Sequence, residues 1–259
     1  MSGPVILEQD GNIATVILNN PERMNALSRP MWQLLGETMQ NLSADESLRC
    51  VILRGAGTKA FGAGADISEF RTERANSKAA KEYGEVIHRT MQAVAQCTHP
   101  TVAMINGACI GGGLEIASMC DLRICGESSR FGIPIKKLGL VMAYGELQGL
   151  LSVVGRAAAL EILLEGRIFD AREALAKGLV TRVVADDKVE EEAVATARRI
   201  AEGAPLVARW HKKFLRRLAD STPITQAEWD EGFACFDSED YRAGVEAFLD
   251  KREPKFRGR

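Results

Sequence analysis

Short runs of β-branched and other apolar residues recur along the chain at 13–18, 50–53, 101–105, 122–125 and 180–184. Each has the length of a strand, and the stretches between them carry apolar positions at helical spacing. This alternation predicts an α/β fold. The clearest helix is predicted over 77–96, where Tyr83, Ile87, Met91 and Val94 form one apolar stripe with charges opposite. Beyond about residue 186 the strands stop, and helices are predicted at 188–203, 205–218, 222–236 and 238–251. The pattern divides the chain into a core over 1–185 and a helical region over 186–259. Trp229, Phe233 and Phe236 fit an apolar stripe in that region, either between subunits or domains or within a plain core. Periodicity alone also allows a doubly wound sheet.

One segment breaks the periodic pattern. Asn106-Gly107-Ala108-Cys109-Ile110-Gly111-Gly112-Gly113-Leu114-Glu115 ends an apolar strand in glycines and opens a helix with a carboxylate in its first turn. Glycines let a ligand approach the backbone, and the free N–H groups of a helix start present partial positive charge. That suits an oxyanion hole, with Glu115 one turn further along the same face. A tight strand-to-helix turn with a solvent-facing glutamate is the plain alternative. Ala60-Phe61-Gly62-Ala63-Gly64-Ala65-Asp66-Ile67 repeats the design, so two turns could offer two donors to one oxygen. The glycine run is neither G-x-G-x-x-G followed by an acidic residue nor G-x-x-x-x-G-K-[ST], and no G-x-S-x-G elbow accompanies it. His88, His99 and His211 belong to no motif and read as surface or satisfied structural histidines.

Composition narrows the functional classes. The chain has 259 residues, 46% hydrophobic and 26% charged, with a formal net charge of -2 and a pI near 6.0. No overall positive field recruits nucleic acid or an anionic membrane. The stretch Arg209, His211, Lys212, Lys213, Arg216 and Arg217 is a local exception, readable as a phosphate contact or as a solvated helix face. Six cysteines lack a C-x-x-C pair and sit mostly among apolar neighbours, which reads as buried thiols in a reducing compartment with no metal site. The first residues lack a basic region followed by an apolar stretch, and no run of about 18 apolar residues is expected anywhere. A cytoplasmic protein is expected.

The two glycine turns, together with Asn19-Asn20-Pro21-Glu22-Arg23-Met24-Asn25-Ala26-Leu27 and Phe131-Gly132-Ile133-Pro134, resemble the crotonase superfamily, the enoyl-CoA hydratase and isomerase family. The likeness runs through nearly the whole chain. It implies a spiral of ββα turns, a C-terminal helical region that covers the site and builds a trimer or a hexamer of two trimers, and an acyl-CoA thioester as substrate with no further cofactor. By family position the oxyanion donors are the backbone N–H groups of Ala65 and Gly112, and Glu115 is the acid/base. Arg23, Ala26, Gly62, Ala63, Asp66 and Ile67 match positions around the CoA nucleotide and pantetheine. Lys251 and Phe256 match residues that touch the nucleotide, in some cases of a neighbouring subunit; taken alone, that tail is a charged helix end stopped by Pro254.

The chain departs from the family pattern after Pro134. Family hydratases carry a second glutamate there, and this sequence has Ile135. Losing one of two carboxylates costs about 100- to 10,000-fold unless another group replaces it. Three readings stay open: Glu115 acts alone through ordered water, Glu146 supplies the second carboxylate, or the site runs another enolate reaction such as isomerisation, decarboxylation or hydrolysis. A catalytically weak CoA- or RNA-binding scaffold is the alternative of a different class. Met142, Ala143 and Tyr144 fall near the acyl group by family position.

Overall fold

The computed structural model describes residues 3–259. It opens with β1 (Val5–Asp10) and β2 (Ile13–Leu18), paired antiparallel, followed by α1 (Arg29–Ala44). Three ββα units come next. The first is β3 (Cys50–Gly55), β4 (Ala60–Gly62), the short α2 (Phe70–Glu73) and α3 (Ser77–Ala95). The second is β5 (Thr101–Ile105), β6 (Ala108–Ile110) and α4 (Gly112–Met119), and the third is β7 (Leu122–Gly126), β8 (Arg130–Gly132) and α5 (Tyr144–Glu165). β9 (Phe169–Asp170), α6 (Ala171–Ala176) and β10 (Arg182–Val184) close the series. The C-terminal region holds α7 (Val189–Glu202), α8 (Pro205–Leu218), α9 (Gln226–Glu231) and α10 (Glu239–Leu249).

Consecutive strands of each unit go to different sheets. One sheet runs β1-β2-β3-β5-β7-β10 and the other β4-β6-β8-β9. Every unit therefore advances the chain by one strand in both sheets, which makes a spiral of ββα turns rather than one doubly wound sheet. The strands predicted at 13–18 and 101–105 match β2 and β5 residue for residue, because both are buried along almost their whole length and carry the β-branched runs that signal it.

The large sheet is covered on both faces. On one, Trp32, Leu35 and Met39 of α1 pack with Tyr83, Ile87, Met91 and Val94 of α3, the stripe expected from periodicity. Asn76 caps α3 by accepting bonds from the Lys78 and Ala79 N–H groups, which sets where that stripe begins. On the other face, Val189, Ala193, Ala197 and Ala201 of α7 pack on Ile52, Val102, Met104 and Ile124. The first helix beyond residue 185 thus completes the core.

Three expectations change in detail. The helix predicted over 222–236 is broken: Thr225 caps α9, which ends at Gly232, and a separate turn of 3-10 helix follows at Ala234–Asp237. The basic stretch on α8 is a partly solvated face, with His211, Lys213 and Arg216 exposed, whose charges are mostly engaged within the chain: Lys212 pairs with Asp121 at 2.7 Å, Lys213 with Glu231 and Arg217 with Glu228, while Arg209 and Arg216 donate to the carbonyls of Glu46 and Ala95. α5, by length and composition, is apolar enough to cross a bilayer, contrary to the expectation that no such apolar run occurs. Gly155 (φ 71°) breaks its helical path, and α3 and α4 pack against it. Trp229, Phe233 and Phe236 remain exposed in the single chain. Five cysteines are buried, Cys235 is half-buried, and all six are free thiols.

One close approach fixes the second glycine turn against the first. A Cβ on Gly113 would lie 2.3 Å from the Gly62 carbonyl oxygen and 2.9 Å from its Cα, so α4 can touch β4 only through a glycine. Gly113→Ala must push helix and strand apart, and overpacking of this kind costs about 1–3 kcal/mol. Denaturant titration should show that loss; an unchanged midpoint would show that the contact is not needed.

Candidate active site

The two glycine turns meet in space. A Cβ on Gly64 (φ 103°) would sit 3.6 Å from the Gly112 nitrogen, and one on Gly111 (φ 51°) would sit 3.5 Å from the Gly64 Cα. Both positions need left-handed or otherwise positive φ, which is why glycine occupies them. Leu27 then orients the first turn by a parallel bridge: its N–H donates to the Gly64 carbonyl at 2.8 Å, and its carbonyl accepts from the Asp66 N–H at 2.9 Å. Since the bridge uses the groups on either side of Ala65, the Ala65 N–H points the other way, toward the cleft it lines. Gly112 is the first residue of α4, so its N–H has no intrahelical acceptor. The loop before Leu27 is held by buried Asn25, whose amide donates to the carbonyls of Ala56 and Ala60 at 3.0 and 2.7 Å.

A cleft of about 360 Å³ opens in front of these turns. Ala65, Gly112, Glu115 and Glu146 all line it, with Trp32, Ile87, Ile135 and Met142 as apolar wall. Glu115 is only 8% exposed, which rules out the solvent-facing alternative. Burial, reinforced by the nearby Glu146 and partly offset by Arg74, pushes its carboxyl up to about 8. Glu146 is also raised, chiefly by burial, while its bond from the Ala143 N–H at 2.7 Å and the charges of Arg74 and His88 pull it back. The two carboxyls influence each other and titrate as a pair. Burial favours the neutral form of Glu115, while the Ala143 N–H donates to Glu146 and favours its charged form. Among the described residues no group of three or more His, Cys, Asp or Glu could hold a metal ion.

The profile of the enoyl-CoA hydratase/isomerase family matches residues 8–259. The chain belongs to that family. Among its relatives, the short-chain-enoyl-CoA hydratase of Clostridium acetobutylicum is 33% identical over 96% of this chain and 95% of its own length. The crotonyl-CoA hydratase of Syntrophomonas wolfei is 31% identical, covering 97% of each chain. A crystal structure of an enoyl-CoA hydratase/carnithine racemase from Magnetospirillum magneticum superposes with a TM-score of 0.98 at 53% identity, over 100% of this chain and 97% of that one. The ββα spiral is therefore the crotonase fold expected from the sequence.

Not all residues matched to the family's CoA site reach the cleft. Ala63 and Ile67 line it. Arg23 is engaged with Asp66 at 2.7 Å and Ser68 at 3.2 Å, and Asp66 caps the short helix Ile67–Glu69 with its carboxyl held below the usual range by Ser68 and Arg23. The Ala26 carbonyl already accepts from Asn20, and Gly62 packs against Gly113. Lys251 and Phe256 are not brought to this cleft by their own chain: the Phe256 ring lies against Gly244 of α10, and its carbonyl accepts from Arg49 at 2.5 Å.

Sequence reasoning missed Trp32, Arg74 and His88. Trp32 lines the cleft beneath Gly112, and its indole N–H is buried without a partner. His88 packs on Gly145 in the first turn of α5, next to Glu146. His99, expected to be satisfied or at the surface, is buried with both ring nitrogens unpartnered, and burial followed by Arg209 lowers its pKa. The apolar stripe of α3 signalled Ile87 but gave no sign that His88 would face a glycine.

The raised pKa of Glu115 has a stability consequence. Between its ordinary value of 4.5 and about 8 the folded state holds a proton that the unfolded state releases, so this residue makes stability fall as pH rises through that window. Glu115→Gln removes the titration. The variant should be more stable than the parent at pH 7.5 and close to it at pH 4, read as thermal midpoints. Equal pH slopes for the two proteins would place the Glu115 pKa near its ordinary value.

Proposed function

We propose that this chain adds water across the 2,3 double bond of 2-enoyl-CoA thioesters. The observation that carries this reading is the pairing of Glu115 with Glu146 in a cleft whose wall includes the Ala65 and Gly112 N–H groups. Two oriented donors on a thioester oxygen stabilise the enolate that forms when a nucleophile adds at C3, each worth about 3 kcal/mol. Glu146 in its charged form takes a proton from water, whose oxygen bonds to C3. The electron pair of the double bond moves onto C2 and the thioester oxygen, and neutral Glu115 protonates C2. The proton left on Glu146 returns to Glu115 to reset the pair. Ile135 is part of the apolar wall, so the second carboxylate comes from the first turn of α5 instead of from the position after Pro134.

A 2-enoyl-CoA hydration assay tests the roles. Glu115→Gln and Glu146→Gln should each lower kcat by about 100-fold or more. Ile135→Glu should add little, because the position of the second carboxylate is already filled. Glu115→Gln retaining more than half of the parental rate would remove the mechanism. Strong activation by Ile135→Glu, with Glu146→Gln harmless, would assign the second carboxylate elsewhere.

A further inference from the structure

Arg74 follows α2 and lines the same cleft. Its guanidinium carbon lies 4.4 Å from the Phe70 ring centroid and 4.7 Å from that of Tyr83, so two aromatic rings fix its plane. The carboxylates that neighbour it in sequence are already taken: Glu73 pairs with Arg29, and Glu69 accepts from the Arg29 N–H at 2.9 Å. Its Nε is buried without a partner, the Tyr83 hydroxyl is within its reach, and among the described residues no carboxylate forms an ion pair with the guanidinium. An arginine clamped between two rings beside a cleft walled by Ile87, Ile135 and Met142 is a planar two-pronged donor with no carboxylate paired to it. Arg74 is half-buried with its Nε enclosed, and an anionic ligand group supplies the charge-assisted partner that such a fork accepts.

From this geometry we infer that the cleft selects thioesters whose acyl group ends in a carboxylate, and that Arg74 recognises that carboxylate. The inference rests on the acyl-CoA reading above. Arg74 influences both Glu115 and Glu146, which puts it at the proton-transfer end of the cleft where the acyl carbons lie, rather than with the CoA nucleotide. The local charge agrees. Arg74 and Lys137 line the same wall, and burial raises both glutamates, which weakens the negative charge facing them. The clamp of Phe70 and Tyr83 lowers the ordering cost of a bidentate contact, because the fork is in place before the ligand arrives.

Two matched pairs of thioesters test the inference. In the hydration assay, 2-pentenoyl-CoA is compared with the analogue whose terminal methyl is replaced by a carboxylate. In calorimetry, the saturated pentanoyl- and glutaryl-CoA are compared, so that binding is read without turnover. The parent protein should favour the carboxylate by about tenfold or more in each pair, and Arg74→Leu should lower that ratio by about tenfold or more. Arg74→Lys keeps the charge but not the fork and should give an intermediate ratio. Equal preference in the parent, or a ratio unmoved by Arg74→Leu, overturns the assignment. If neither enoyl ester is turned over, the hydratase reading fails, and the binding ratio of the saturated pair still decides the role of Arg74.

Discussion

The site depends on one backbone contact, the meeting of two glycine-lined turns. Gly62 against Gly113 leaves no room for a side chain between the first and second ββα units, and beside them Gly64 and Gly111 hold positive φ. Because those units are consecutive turns of one spiral, β4 and β6 are hydrogen-bonded neighbours, and the segments that leave them emerge side by side. Packing at backbone distance brings Ala65 and Gly112 to the wall of one cleft. In the proposed mechanism these donors cost no reorganisation when charge develops on a bound oxygen, since the sheet and α4 have already fixed them.

Around that fixed pair the protein concentrates its titratable groups. Glu115 sits in the first turn of α4, where it is buried among apolar neighbours and forced toward its neutral form. Glu146 occupies the first turn of α5, where the Ala143 N–H supports its charge. The two helices belong to successive units, so the repeat that aligns the donors also aligns the carboxyls. Keeping them there works against stability above about pH 4.5, a local sacrifice of the kind expected where chemistry rather than packing sets the residue.

Much of this was readable from the chain. Buried strands such as 13–18 and 101–105 carry a continuous apolar signal, and the α3 stripe is fixed by a capping Asn76 and a regular period. The glycine turns were visible because their conformations demand a residue type, and likeness to the family pattern singled out Ala65 and Gly112 beside Glu115. What could not be read are contacts that tertiary packing creates. Arg74 lies in the run Arg71-Thr72-Glu73-Arg74, which looks like any solvated surface until Arg29 removes its neighbouring carboxylates. The basic side of α8 likewise reads as a free patch because its partners, Asp121, Glu46 and Ala95, are distant in sequence. Lys251 and Phe256 were placed by likeness alone, and no local pattern could say that their own chain keeps them from the cleft.

The central claim is that Ala65 and Gly112 hold a thioester oxygen while Glu115 moves the proton at C2. Exchange of that proton reads the claim without requiring water to add. Incubated in heavy water with butyryl-CoA, which has no double bond to hydrate, the protein should introduce deuterium at C2, detected by mass spectrometry, and Glu115→Gln should abolish the exchange. No incorporation by the parent protein, or undiminished incorporation by the variant, would contradict it.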